Sequence, residues 1–388
     1  MGVARTLAGF ILGMDFNCLP PRTVEHSKMA IADTIGDAMC GAHLRSAEII
    51  REVVRARKGV PEATVWGSKG FKTDCGDTAR VNSVMSETLP LCESHVQAIA
   101  HSTYAIVPTA MSVGEHLGAS GRQLITAVAL GYEIAGRLGI SIAPSYILER
   151  GFHTAVVTIL GSATAAGKLL NLSEDQMTHT IALAATSAGG LAASGKTAAR
   201  EYHAGTATLL GINAALAAQA GYEGEEAIIE KPQGYCETFS TSYNLAGITA
   251  DLGKEWDLVT DMAFKFIPTS HGIHTPVEAT IALVKSDNIY SSDVRRVTVL
   301  GPSWLKGYLI YHPQSSPGAS HSMPYCIASS IVDREFSWNH MNEDKIIRQE
   351  IQELQDLVEI VDSGLYEFPG GTTVTITTAD GVEHTHTV

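Results

Sequence analysis

From the N-terminus to about residue 262 the apolar positions recur at helical spacing, so this stretch reads as mostly helical. Pro20-Pro21 close a first segment, and after them Ile31, Ile35 and Met39 fall four apart, on one face of a second helix. Residues 123–138, QLITAVALGYEIAGRL, are apolar on most sides, which marks a buried helix. Ser173 with Gln176 three residues on forms a capping box and opens a helix through Ile181. Residues 203–221, HAGTATLLGINAALAAQAG, read as a helix of small residues suited to close packing. After about residue 262 the pattern changes. VRRVTVL (294–300) alternates and predicts a strand. Ile347, Ile351, Leu354, Val358 and Val361 step 4-3-4-3 and predict one helix stripe across 342–362, too short for a coiled coil. TTVTITT, the turn Asp380-Gly381 and VEHTHTV predict a β-hairpin. The expected fold class is mainly α: a large all-helical domain over 1–262 and a smaller α+β domain over 263–388.

Composition sharpens this picture. With 45% apolar and 18% charged residues, the 388-residue chain is not a disordered one. Thirty-six glycines and only 6% aromatic residues predict helices that approach closely. The formal charge of −14 disfavours nucleic acid and anionic membranes, so an acidic substrate requires a local cluster of cations. Cys18, Cys40, Cys75, Cys92, Cys236 and Cys326 form no C-x-x-C pair, which argues against a disulfide framework, a zinc site or an iron–sulfur cluster. The apolar run Leu7–Met14 is too short to span a bilayer. A soluble intracellular protein is expected, cytoplasmic, with a mitochondrial location left open.

Three patterns could carry chemistry. Gly190-Leu-Ala-Ala-Ser-Gly195-Lys196-Thr197 satisfies the P-loop pattern, whose physics requires a strand before it and a helix after it. The Ala-rich run upstream follows a capping box and reads as helix, so nucleotide binding is only a minor alternative. His101, His153, His203, His271, His274 and His321 cluster at element junctions beside Gly, Pro and cations, where binding groups tend to sit. His271-x-x-His274 and His384-x-His386 could each hold one metal ion, but no third ligand stands nearby and there is no H-E-x-x-H. No metal and no cofactor are expected.

An ordered set of segments carries a resemblance. GFHTAVVTILGSATAAGKLLNLSEDQ (151–176), REYHAGTATLLGINAALAAQAGYEG (200–224), AFKFIPTSHGIH (263–274) and ASHSMPY (319–325) resemble the MmgE/PrpD family. DTIGDAMCGA (33–42), Trp66-Gly67 and GEHLGASGRQLITAVALGYEIAGRLG (114–139) fit it too. The resemblance spans nearly the whole chain. It implies a helical domain and an α+β lid with the site between them, a homodimer, and cofactor-independent chemistry on di- or tricarboxylates. The family's activities include dehydration of 2-methylcitrate, decarboxylation of cis-aconitate and epimerisation of iminodisuccinate. Family chains continue past this hairpin into further helices, so either this chain is a shortened one or another chain completes the helical domain.

The family's motif residues carry over one at a time. Its D-F-D-D-T-like stretch falls on Pro90-Leu91-Cys92-Glu93-Ser94, so the leading aspartate is replaced by Pro90 while Ser94 keeps the hydroxyl. Glu93 could stand in for it only through a rearranged loop. The H-P-S and G-[FW]-H-P histidines fall on His101 and His153. The K-P-L-H motif falls on Arg200 and His203, and the K-x-[YF]-P lysine on Lys265. A further family histidine falls on Ser270, with His271 adjacent, and another on His321. Arg200 keeps the charge and binds carboxylates bidentately but gives up no proton near neutral pH.

The resemblance implies a lyase acting on a branched polycarboxylate, by dehydration of a 2-alkylcitrate-type acid or decarboxylation of a cis-aconitate-type acid. His101, His153, His321 and Lys265 are the catalytic candidates. Ser94, Arg200, His203, Ser270, His271 and His274 are the substrate-binding candidates. An epimerase of a dicarboxylate and a non-catalytic relative are the alternatives.

Overall fold

The computed structural model describes residues 2–364 and 371–388. The chain divides into two compact units: Met1–Thr88 with Cys92–Lys265, and Leu89–Leu91 with Phe266–Val388.

The first unit is helical. Its longer helices are α1 (Val3–Gly13), α2 (Pro21–Gly41), α3 (Arg45–Arg57), α4 (Cys75–Thr88), α5 (Thr103–Leu117), α6 (Gly121–Ile142), α7 (Ala155–Leu169), α8 (Glu174–Thr186) and α9 (Ala199–Gln219). α7 lies at the centre, packed on α5, α6, α8 and α9, and α9 also covers α4. Small residues set these crossings. A Cβ on Gly131 would come 2.9 Å from the Gly161 carbonyl oxygen, and one on Gly161 would come 2.9 Å from that of Gly131, so α6 and α7 cross through a glycine pair. A Cβ on Gly211 would likewise press Ser162 at 2.6 Å. α6 is long and apolar enough to cross a bilayer by length and composition, but most of it is buried here, as the run at 123–138 predicts. The capping box at Ser173 and Gln176 is present and opens α8.

One face of α2 differs from expectation. The helix forms, but Met39 is half exposed, and the buried face carries Thr23, Ser27, Ala30, Thr34, Asp37, Ala38 and Gly41. A polar interior on this side outweighs the apolar stripe.

The second unit holds a four-stranded sheet. β1 (Val294–Gly301) is parallel to β2 (Val358–Asp362) and antiparallel to β3 (Thr373–Thr378), and β4 (Glu383–Thr387) closes the predicted hairpin with β3. Two helices, α10 (His274–Ser286) and α11 (Met323–Asp333), pack together, α10 also on β3 and β4 and α11 on β2. The single helix stripe across 342–362 is not what forms. Short helices at Glu343–Ile346 and α12 (Gln349–Gln355) end before β2. Val358 and Ile360 alternate inward on β2, because pairing Val297 with Val358 in the sheet overrides a coincidental helical spacing.

Candidate active site

A two-residue ladder gathers the site in the first unit. Ser94–His95 pairs antiparallel with Met262–Ala263, which carries Lys265 to the segment after α4. Glu87, on the last turn of α4, is fully buried. Arg200, near the start of α9, donates through one Nη to the Glu87 carbonyl oxygen at 2.7 Å and places Nε 3.5 Å from its carboxylate. The Cys92 thiol donates to the other carboxylate oxygen at 3.0 Å. Arg200 therefore joins α9 to α4 through Glu87. Burial pulls its guanidinium down, but Glu87 and the other acidic groups around it raise it on balance.

Lys265 is buried, and burial pulls its ammonium below the ordinary range while Cys92, Glu87 and Glu93 act the other way. It makes no ion pair among the described residues. A buried ammonium without an ion-pair partner is costly, which makes Lys265 a candidate to meet an anion.

His101 and His153 are held in opposite tautomers. His101 Nδ1 lies 2.7 Å from the Glu93 carbonyl oxygen, which only accepts, so Nδ1 carries the proton and Nε2 the lone pair in the neutral ring. Ser94 Oγ sits 3.1 Å from the same Nδ1. His153 Nδ1 instead accepts from the Ala155 amide at 3.2 Å at the head of α7, so its Nε2 carries the hydrogen. Burial, then His203, then Arg200 push His153 down to about 3, and it is neutral at pH 7. His203 stands with its ring centroid 5.3 Å from that of His153, and its Nδ1 is buried without a hydrogen-bond partner. Burial lowers it as well. One ring thus offers a base and another a neutral N–H donor.

Glu93 does not stand in for the carboxyl replaced at Pro90. It accepts from the backbone amides of Ser102 and Thr103 and from the Thr103 hydroxyl, which makes it the buried cap of α5. Burial raises its carboxyl in spite of those bonds. The carboxyls that do face this region were not singled out in the sequence. Asp33 and Asp37, one turn apart on α2, each keep one buried oxygen without a hydrogen-bond partner. Burial raises Asp33 to about 7 and Asp37 to about 9. Their signal in DTIGDAMCGA was two acids four apart on a helix.

The remaining predicted residues sit in the second unit, where they form a local group. Ser270 donates to the Tyr308 hydroxyl at 2.8 Å, and its amide reaches the Ser320 carbonyl oxygen at 3.1 Å. His271 and His274 stack with ring centroids 5.5 Å apart. His321 Nδ1 donates to the Pro317 carbonyl oxygen at 2.9 Å, which leaves the lone pair on Nε2 in the neutral ring. No group of three metal-ligating side chains occurs among the described residues, and His384 pairs with Asp287 at 2.6 Å.

The P-loop reading fails on its own physics. Helix α8, not a strand, leads into 190–197. Gly190 serves the histidines instead. Its φ of +120° lies in the region that favours glycine, its carbonyl accepts from the His153 amide, and a Cβ there would meet His203 Nδ1 at 3.3 Å.

Buried cations, imidazoles and buried acids on a helical body are the equipment of acid/base chemistry. Comparison with known proteins says which kind. The MmgE/PrpD N-terminal domain matches residues 5–247 and the MmgE/PrpD C-terminal domain matches 267–388, and the chain belongs to this family. It is 26% identical over 369 residues to the cis-aconitate decarboxylase of Homo sapiens, covering 92% of this chain and 76% of that protein. The cis-aconitate decarboxylase of Mus musculus is 26% identical over 370 residues, 92% of this chain and 75% of its own. That of Aspergillus terreus is 26% identical over 381 residues, with 91% and 77% covered. With this family and these relatives, the protein is a lyase.

Proposed function

We propose that the protein decarboxylates a branched tricarboxylate of the cis-aconitate type with its own acid/base side chains. The observation that carries this reading is Lys265, buried and without an ion pair among the described residues, in the same unit as two histidines of opposite tautomer. The substrate bears about three negative charges at neutral pH, so a cation must meet it. In decarboxylation the carbon–carboxylate bond breaks, CO2 leaves, and the electron pair stays on carbon, stabilised by the conjugated carboxylate. Lys265 neutralises that developing charge, and a proton then adds to carbon. The neutral His153 N–H orients a carboxylate, and His101 Nε2 is the base for any proton removed. The names of the relatives favour decarboxylation over dehydration.

The test is incubation with cis-aconitate, 2-methylcitrate and iminodisuccinate in deuterated water, followed by NMR. The expected result is CO2 loss from cis-aconitate with one deuterium on the product carbon. Water loss from 2-methylcitrate alone would make the protein a dehydratase. Deuterium exchange without elimination would make it an epimerase. Binding without turnover would make it a non-catalytic relative.

A further inference from the structure

In the proposed reaction His101 works at Nε2, and Nε2 has its lone pair only while the proton of the neutral ring sits on Nδ1. The site must therefore hold that tautomer, and a backbone carbonyl does so only while it stays within reach of the ring. The residue that supplies the carbonyl, Glu93, also places its carboxylate in the same loop.

We infer that Glu93 is a positioning residue for His101: its carboxylate clamps the head of α5 so that its own carbonyl stays on the His101 ring. The inference rests on the proposed decarboxylation. Its basis is a loop closed twice by one residue. The Glu93 carbonyl accepts from His101 Nδ1 at 2.7 Å. Its carboxylate accepts from the Ser102 amide at 2.8 Å, from the Thr103 amide at 3.2 Å and from the Thr103 hydroxyl at 2.5 Å, and these residues directly follow His101. Ser102 stands at the usual capping position of α5, yet its hydroxyl is buried without a hydrogen-bond partner. The cap comes instead from a carboxylate nine residues upstream, through charge-assisted bonds that also fix the spacing across the loop.

The far end of the loop is held as well. His95 and Ala100 exchange both backbone bonds, at 2.8 and 3.3 Å, inside the Ser94–His101 and Glu93–Ser102 contacts. The Ala98 amide donates to His95 Nδ1 at 3.3 Å, so His95 Nε2 carries the hydrogen and donates to Asp257 Oδ2 at 3.0 Å. The His95 ring stacks on Tyr132 of α6 with centroids 5.4 Å apart. Glu93, Ser102 and Thr103 at the mouth of the loop are fully buried. With the tip fixed, the carboxylate is the contact that sets how far the His101 strand can slide against the carbonyl that holds its proton. Glu93 acts on the reaction only through His101.

The experiment reads the His101 tautomer and the kinetics together on the full chain. Imidazole nitrogen–proton correlation NMR spectra at about pH 8 report which nitrogen carries the proton, with or without turnover, and the His101 signals are assigned by their loss in His101→Gln. The wild type is expected to show Nδ1–H. Glu93→Ala is expected to populate Nε2–H and, with cis-aconitate, to lower kcat by about thirtyfold while KM stays within about threefold. Glu93→Gln still offers an oxygen to the two amides and an N–H to the Thr103 hydroxyl, so it is expected to restore the Nδ1–H signal and most of kcat. A purely structural cap would lower the melting temperature of Glu93→Ala and leave the tautomer as in the wild type, which overturns the inference. An Nε2–H signal in the wild type overturns it too, as does a lost tautomer with unchanged kcat. If Glu93→Ala does not fold, Glu93→Asp takes its place. It keeps the charge one methylene short of the amides and is expected to lose the tautomer, and a wild-type tautomer and rate there overturn the clamp. Absence of wild-type turnover on any acid of the panel overturns the decarboxylase reading and the role of His101 as its base, whereas turnover with a tautomer indifferent to Glu93 overturns this inference alone.

Discussion

His101 and His153 are the same residue type held in different tautomers by single backbone atoms. A carbonyl oxygen fixes the proton on one ring at Nδ1, and an amide at the head of α7 fixes it on the other at Nε2. Burial first, then His203 and Arg200, keep His153 neutral. A charged ring would lose its acceptor lone pair inside a buried site beside Arg200. The consequence for stability has a definite sign. In the folded protein His153 titrates near 3, whereas an unfolded histidine titrates near 6.5, so the unfolded chain binds the extra proton between those values. The stabilisation from a neutral His153 is complete above about pH 6.5 and is lost as pH falls toward 3. His153→Asn keeps an acceptor for the Ala155 amide but has nothing to titrate. Urea midpoints should therefore show the wild type losing about 2 kcal/mol relative to His153→Asn between pH 6.5 and pH 5. A difference that stays constant over that interval would mean the ring is already charged in the folded state.

At the scale of elements, the segment 190–197 shows how a motif is decided by what precedes it. Helix α8 runs to Thr186, and an isolated bridge from Phe152 to Leu191 then lays Gly190 against the histidines. Gly190→Ala should cost about 1–3 kcal/mol from the positive φ and displace His203, with turnover falling steeply. Lys196→Ala, on an exposed side chain, should leave both melting temperature and turnover near wild type. A nucleotide-binding loop would give the reverse order, so assaying the two variants side by side decides it. The same reasoning separates what the sequence made legible from what it hid. The helices α6, α8 and α9, the strand β1 and the β3–β4 hairpin were readable because local periodicity and turn chemistry agree with their packing. The 342–362 stripe was misread because β2 is specified by its partner β1, which no local pattern records. Motif position named Arg200, His153 and Lys265 as candidates, but the motif did not show that Arg200 is committed to Glu87. Nor did it show that Glu93 caps α5, or that Asp33 and Asp37 each bury an oxygen without a hydrogen-bond partner, because burial and pairing across distant segments create those features.

For the whole molecule, the proposed function sets a net negative surface against a buried cation, and the two act on an anionic substrate with opposite signs. Forty-one acidic against 27 basic residues give a net charge of −14, so the field around the chain repels a trianion. Under the proposed function, capture relies on Lys265, a buried side chain away from the salt that screens the surface. At about 0.01 M salt the screening length is roughly 30 Å and the repulsion reaches far, while at about 0.15 M it shrinks to roughly 8 Å. Screening therefore removes the obstacle before it weakens the trap. KM for cis-aconitate should fall as inert salt is raised over this interval, with kcat nearly unchanged, in steady-state assays at constant pH. Attraction dominated by exposed cations would make KM rise over the same range, and that result would place the recognition of substrate at the surface instead of at the buried lysine.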